Sequence, residues 1–165
     1  MKTEITGMKL RLIVMNFLQF AVWGAYLTSM GTYLFNIGLG AKIGLFYAMQ
    51  GIVSLFMPAI MGIIADRWVP AQKLYGFCHF MAAVFMVAAG WYGYVDGEAV
   101  NFGTLFTFYS LSVAFYMPTL ALTNSVAYTA LDKVKLDPVI AFPPIRIFGT
   151  IGFICSMLLT DILGF

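Results

Sequence analysis

The feature that most constrains this chain is a series of long segments that contain no charged residue. Thirty consecutive residues between Arg11 and Lys42 carry no charge, and similar runs cover residues 43–65, 74–95 and 99–131. A fifth run, over residues 138–160, is interrupted only by Arg146. Because an α-helix needs about 20 apolar residues to cross a bilayer, the sequence predicts an all-α membrane protein. We expect five transmembrane helices, at about residues 10–37, 41–66, 72–95, 100–131 and 139–162.

Composition agrees with a membrane protein and excludes several other classes. Hydrophobic residues make up 62% of the chain, charged residues 10%, and the mean hydropathy is +0.92. The net charge of +2 is too small, and too scattered, for nucleic-acid binding. Cys78 and Cys155 lie far apart in apolar runs and are expected to be small buried residues. No catalytic motif or metal-ligand spacing is present in the sequence, so we expect no enzyme, no catalytic residue, no metal and no bound cofactor.

Lysine and arginine residues predict the orientation of the helices. One side of the membrane receives Lys2, Lys9, Arg11, Arg67, Lys73, Lys133 and Lys135, whereas Lys42 falls on the other side, with the acidic turn 96–98. Basic residues in short loops are enriched on the cytoplasmic side. We therefore expect a cytoplasmic N-terminus, with helices 1 and 5 running outward.

Helix 5 contains the residue that most needs an explanation. A charge such as that of Arg146 costs about 2.5 to 3.5 kcal/mol at the centre of a membrane helix even on the lenient insertion scale. At helical spacing Thr150 and Phe153 share its side, with Met157 beyond them, which predicts a ligand-facing stripe. The opposite side is expected to carry Gly149 and Gly152 among isoleucines, as close helix packing in lipid requires.

Polar residues in helices 1 and 4 are further candidates. Gln19, Trp23, Tyr26 and Met30 share one side of helix 1, where an amide and aromatic rings suit either a flat polar ligand or packing between helices. Helix 4 carries Tyr116, Thr119, Thr123 and Asn124. Threonine in a membrane helix commonly bonds to its own backbone, whereas an unpaired asparagine in lipid is costly.

Three other features have simpler interpretations. Pro58 and Pro118 are expected to bend helices 2 and 4, and Pro143 and Pro144 to occupy the first turn of helix 5. His79, near the cytoplasmic start of helix 3, is expected to be a hydrogen-bonded interfacial residue rather than a proton relay.

The turn between helices 2 and 3 contains Gly62, Asp66, Arg67 and Lys73. These charges suit either an ordinary basic cytoplasmic loop or a network that holds one conformation of a moving bundle. They resemble the loop signature of the major facilitator superfamily, although Val69 and Pro70 stand where that signature normally has a glycine.

Four segments together resemble the nucleoside:proton symporters of that superfamily: FLQFAVWGAYLTSMGTYL, MPAIMGIIADRW, FYMPTLALTNSVAY and FPPIRIFGTIGFI. The resemblance implies a twelve-helix carrier in the cell inner membrane with two six-helix halves and alternating access. This chain would be its incomplete N-terminal half, truncated after helix 5. Arg146, Thr150 and Phe153 match the residues of that family that line its nucleoside site.

The resemblance also implies binding partners, and two alternative functions stay open. The substrate would be a nucleoside, the coupling ion a proton and the surroundings membrane lipid. Transport would require the absent C-terminal half, where the family's coupling carboxylate lies. One alternative is a facilitator for a sugar or organic anion, in which Arg146 would face a carboxylate or phosphate. A second alternative is a membrane interaction module that transports nothing.

Overall fold

The computed structural model describes residues 2–164, apart from the side chains of residues 2, 3 and 98, and over this range all of its regular secondary structure is helical. Five long helices follow one another: α1 (Lys2–Asn36), α2 (Ile43–Arg67), α3 (Ala71–Asp96), α4 (Phe102–Lys133) and α5 (Pro138–Ile162). Short 3₁₀ turns, Gly40–Lys42 and Gly97–Ala99, stand before α2 and after α3. Each long helix is long and apolar enough to cross a membrane, which confirms the predicted number of spans.

The start of α1 differs most from the sequence prediction. The helix begins at Lys2, about eight residues before the expected residue 10. The prediction took the edge of the charge-free run as the edge of the helix. Backbone hydrogen bonding instead continues through the polar N-terminal residues, because a helix does not have to end where its apolar segment ends.

Helix ends follow from local chemistry. The Oδ1 atom of Asp137 accepts a hydrogen bond from the backbone N–H of Val139 at 2.9 Å, and Pro138 occupies the first position of α5. Asn101 caps α4 in the same way. Helix α1 ends at Asn36, and Gly38 follows it with φ +77°, so that the backbone N–H of residue 39 donates to the carbonyl of residue 34 at 2.8 Å. Gly38 thus belongs to the C-terminal cap of α1.

Pro143 and Pro144 do not lie where they were expected. Since α5 begins at Pro138, they fall in its second turn. Proline lacks a backbone N–H, so the carbonyls of Val139 and Ile140 lose their helical donors. Both of these residues are exposed, at 80% and 75%. The prediction was wrong because Pro138 already fills the first position.

The chain divides into two compact units, and the first contains the substrate-binding candidates Gln19, Trp23, Asn124, Arg146, Thr150 and Phe153. This unit comprises residues 2–32 and 123–164 of the described chain. One core cluster joins its three helical segments, and its buried members are Leu12, Ala127, Leu131, Phe142 and Ile145. Apolar burial of this kind supplies the packing that holds α1 and the end of α4 against α5.

Glycines allow α1 and α5 to approach closely. A side chain at Gly152 would collide with the backbone of Phe17, and one at Gly24 would lie 2.6 Å from the carbonyl oxygen of Phe153. Backbone atoms cannot move aside as a side chain can, so both positions require glycine. Gly24 contacts α5 at residues 153–157, whereas Leu12 shares its cluster with Ile145. Contacts therefore advance in the same direction along both helices, which makes α1 and α5 parallel.

The arrangement of small and branched residues on α5 also corrects the sequence prediction. Gly149 and Gly152 are buried against α1, but Ile147, Ile151 and Ile154 are 58%, 40% and 51% exposed. The glycines and the isoleucines therefore occupy different sides of the helix. The glycines lie in the contact with α1, whereas these three isoleucines lie on the apolar surface.

The second unit, residues 33–122, is organised around α4. Phe46 of α2 is fully buried, and its ring centroid lies 5.2 Å from that of Phe106 and 4.9 Å from that of Tyr109. Two buried hydrogen bonds reach α4 from its neighbours. Gln50 Nε2 donates to the Tyr109 hydroxyl at 2.7 Å, and Ser112 Oγ donates to the carbonyl of Ala82 at 2.7 Å. These two hydrogen bonds thus join α4 to α2 and to α3 by pairing buried polar groups, which are costly to leave unpaired in an apolar medium.

Alanine substitutions test the backbone contact between α1 and α5. We expect Gly152→Ala to lower the midpoint of thermal unfolding by several degrees, since the added methyl group forces the two backbones apart. Gly44→Ala is the matched control, because nothing lies within 4 Å of the added atom and alanine is favoured over glycine in a helix by about 0.5 to 1 kcal/mol. An unfolding midpoint that is equal in the two variants would contradict the close contact.

Candidate functional site

Arg146 lies on the α1-facing part of α5, and its surroundings are aromatic. The guanidinium carbon Cζ is 3.8 Å from the centroid of the Phe20 ring, on α1. Phe20 is buried, with 7% of its surface exposed, whereas Arg146 is half-buried. A cation over an aromatic face is stabilised by the ring quadrupole, by about 2 kcal/mol or more where water is excluded. This contact offsets part of the cost of a charge inside the span.

The donors of Arg146 are not used within the described part of the chain. None of the residues described by the structure forms a hydrogen bond or an ion pair with its guanidinium. An arginine side chain carries five N–H donors in a planar fork that matches oxygen acceptors. The arrangement therefore presents a fixed cation whose hydrogen-bonding edge is available to a ligand.

Two further predicted residues join the same aromatic group. The Trp23 ring lies 5.6 Å from that of Phe153 at an interplanar angle of 64°, and 6.2 Å from that of Phe20. Edge-to-face contacts of this kind are favourable beyond their buried area. Trp23 Nε1 is buried, and no described residue accepts a hydrogen bond from it. Phe20 and Trp23 of α1 thus connect Arg146 and Phe153 of α5 in one group.

The remaining predicted residues lie in the same unit without a described contact to Arg146. Gln19 is buried at 2% exposure, Thr150 is exposed and Asn124 is half-buried. The Oδ1 atom of Asn124 is shielded from solvent, and no described residue donates a hydrogen bond to it. Thr123 beside it is fully buried, and its hydroxyl has no partner among the described residues. By contrast, Thr119 bonds to its own backbone at the Tyr116 carbonyl, as expected for a membrane threonine.

Two residues of this region were not predicted from the sequence. Phe20 is not among the predicted site residues, although its ring lies against the guanidinium of Arg146. Asn16 is fully buried, its Nδ2 donates to the carbonyl of Leu12 at 2.9 Å, and its Oδ1 has no partner among the described residues. Helical spacing places both on the side of α1 that carries Gln19 and Trp23. That spacing was the available signal for Asn16, whereas a phenylalanine in an apolar run carries none.

The loop residues lie at the junction of α2 and α3. Asp66 and Arg67 occupy the last turn of α2, Lys73 the first turn of α3, and all three side chains are exposed. No described residue forms an ion pair with any of them. Pro70 precedes α3 with φ −52° and ψ 133°, so the turn is made without the glycine of the signature.

The histidine and the two cysteines do not form a metal site with one another. His79 Nδ1 lies 3.0 Å from the Tyr75 carbonyl, and its ring contacts those of Tyr75 and Tyr116. Cys78 is buried as expected, but Cys155 is exposed on α5, which corrects the expectation that it would be buried. Within residues 2–164, no three His, Cys, Asp or Glu side chains are grouped as a metal site requires.

Comparison with known proteins places this arrangement in a family. The sequence matches the family model of the nucleoside H⁺ symporters over residues 6–164. Xanthosine permease of Escherichia coli (strain K12) is 42% identical over 150 residues, which cover 90% of this chain and 34% of that protein. Nucleoside permease NupG of the same organism is 40% identical over 162 residues, which cover 96% of this chain and 37% of that protein.

Solved structures of a nucleoside transporter also match this chain. The chain superimposes on a crystal structure of nucleoside transporter NupG with a TM-score of 0.82 and 39% sequence identity, over 96% of this chain and 38% of that one. A mutant form of NupG gives a TM-score of 0.86. The predicted class is thereby confirmed, a multi-pass helical membrane protein of the major facilitator type. The chain belongs to the nucleoside H⁺ symporter family, and it spans about a third of the length of these relatives.

Proposed function

We propose that the carrier containing this chain takes up nucleosides across the cell inner membrane, coupled to protons, by alternating access. The observation that carries the proposal is Arg146. It is a cation inside a membrane span, it lies over an aromatic ring, and no described residue takes up its hydrogen-bond donors. A charge kept at such a cost fits a role in binding. The names of the relatives, xanthosine permease and nucleoside permease, agree with a nucleoside ligand.

The proposed site divides the ligand's recognition among different side chains. Arg146 donates hydrogen bonds to ribose hydroxyls or to a base carbonyl, and Thr150 adds a neutral hydrogen bond. Phe153 offers a face for stacking on the base, and Trp23 packs against its ring. Gln19 and Asn124 are the further substrate-binding candidates, through amide groups that can pair with a polar heterocycle.

The chain supplies only part of what transport needs. The relatives are about three times as long, and we place the rest of the cavity and the coupling carboxylate in the part of the carrier that this chain does not span. No acidic residue of this chain is assigned to the proton. No bound cofactor and no metal enter the proposal, and the chain is proposed to act as a carrier and not as an enzyme.

Uptake measurements on cells that express the complete gene test the role of Arg146. We expect radiolabelled uridine or xanthosine uptake to stop with an uncoupler, and to fall about 10- to 100-fold in Arg146→Ala, because a hydrogen bond to a charged group contributes about 1.5 to 3 kcal/mol. Arg146→Lys should recover only part of the uptake, since an ammonium lacks the planar fork. Arg11→Ala removes the same charge at an exposed position and should leave uptake unchanged.

The same assay separates the rivals. Competition by organic anions, with no competition by unlabelled nucleosides, would favour an anion facilitator. If neither class of compound enters the cells above the empty-vector level, transport itself is the wrong function.

We also propose that Gly62, Asp66, Arg67 and Lys73 form a conformational loop. Asp66 near the C-terminus of α2 and Lys73 in the first turn of α3 both lie where the helix dipole disfavours their charge. Local helix stability therefore does not explain either residue. A partner elsewhere in the carrier, engaged in one conformation only, would explain both.

An isosteric substitution tests this loop. Asp66→Asn should slow uptake about 10-fold while the dissociation constant for uridine stays unchanged, because it affects the conformational step and not the site. Asp96→Asn is the matched control, since Asp96 is likewise the acidic residue at the end of a helix. An equal effect of the two substitutions on the uptake rate would show that Asp66 has no special role.

Orientation completes the proposal. We propose a cytoplasmic N-terminus, which puts the basic turns after α2 and α4 inside and Lys42 outside. Alkaline phosphatase fused after residue 39 should be exported and active, whereas the same enzyme fused after residue 69 should be inactive. The reverse pattern of phosphatase activity would invert the topology.

A further inference from the structure

We propose that Phe20 is a positioning residue for Arg146, whose ring covers one face of the guanidinium and holds the cation so that its in-plane N–H edge can meet a ligand. This inference rests on the proposed function. It adds a residue of α1 to the recognition apparatus and assigns the face and the edge of the arginine to different tasks.

The guanidinium of Arg146 lies over the ring of Phe20. With Cζ 3.8 Å from the ring centroid, a nitrogen pointed straight at the ring would lie inside van der Waals contact with it. Stacking of the guanidinium plane over the ring plane avoids this clash, and it covers one face of the cation. A nucleobase cannot stack on that face.

Phe20 and Arg146 occupy the space that Gly149 leaves free between α1 and α5. A side chain at Gly149 would place its first carbon 2.6 Å from Phe20 Cδ2 and 2.8 Å from Arg146 Nη1. Both separations are shorter than real carbon contacts, so the stacked pair occupies the volume that the glycine leaves free. The contact is thus built into the α1–α5 interface, and Phe20 is itself 93% buried within it, being 7% exposed.

Holding the arginine side chain in place lowers the entropic cost of binding a ligand. A free arginine side chain has several rotamers, and fixing it on binding costs conformational entropy. Phe20 already restricts the arginine side chain in the ligand-free protein, so less conformational entropy is lost on binding. An aromatic ring does this without accepting a hydrogen bond from any N–H donor. The donors then meet acceptor oxygens in the guanidinium plane, whereas stacking on the base falls to Phe153, whose ring contacts Trp23 and not the cation.

Fluorination of Phe20 separates positioning from packing, because each fluorine weakens the ring quadrupole with little change of shape. We expect one, two and three ring fluorines, introduced in the complete carrier in lipid nanodiscs, to lower uridine affinity stepwise, by about 5- to 30-fold in total. Phe20→Tyr should retain most of the affinity, whereas Phe20→Leu should lose it. Gly149→Ala, which displaces both partners, should match Phe20→Leu.

A second readout needs no ligand. Thermal unfolding of the ligand-free carrier should show coupling between trifluorinated Phe20 and Arg146→Gln, so that fluorination lowers the midpoint only when the arginine is present. Coupling together with the stepwise loss of affinity supports the proposal. Normal uridine binding by the trifluorinated carrier, without coupling, overturns it and leaves the proposed function intact. Coupling in a carrier that binds no nucleoside overturns the nucleoside assignment instead.

Discussion

The position of a single cation governs how the first unit is built. Arg146 lies within a helix that is otherwise suited to hydrocarbon, where an unsupported charge is expensive. A carboxylate partner would lower that cost but would also consume the donors. The structure supplies an aromatic face instead, which attracts the charge, and no residue within the described range 2–164 takes up its N–H groups. The requirement for a stable yet available cation explains why Phe20, a residue without polar atoms, belongs to the site.

The aromatic contact depends in turn on glycine. Gly149 leaves room for the stacked pair, and Gly24 and Gly152 bring the two backbones together. Larger residues at these positions would separate α1 from α5 and remove Phe20 from Arg146. Small residues and the charged site are therefore parts of one arrangement, in which close packing replaces the hydrophobic drive that lipid does not provide.

Much of this arrangement could be predicted from the sequence, because membrane spans and a buried charge leave strong signals. Charge-free runs predicted the five helices, whereas the ligand-facing stripe of Arg146, Thr150 and Phe153 stays a prediction. Contacts across helices left no such signal, so Phe20 was missed among 16 phenylalanines. The sides of α5 were confused because three residues of rotation leave Gly149 only about 60° from Arg146. Pro143 was misplaced because the cap at Asp137 lies outside the charge-free run.

The parallel contact of α1 with α5 has a mechanical consequence. Because the closest approaches involve backbone atoms, a change of rotamer cannot absorb a displacement of one helix along the other. The two helices should therefore move together as one rigid body. Arg146, Trp23 and Phe153 are all attached to these two helices, so in the proposed carrier they would keep their mutual spacing during alternating access. Release of a ligand would then come from the rest of that carrier moving away, and not from loosening of this group.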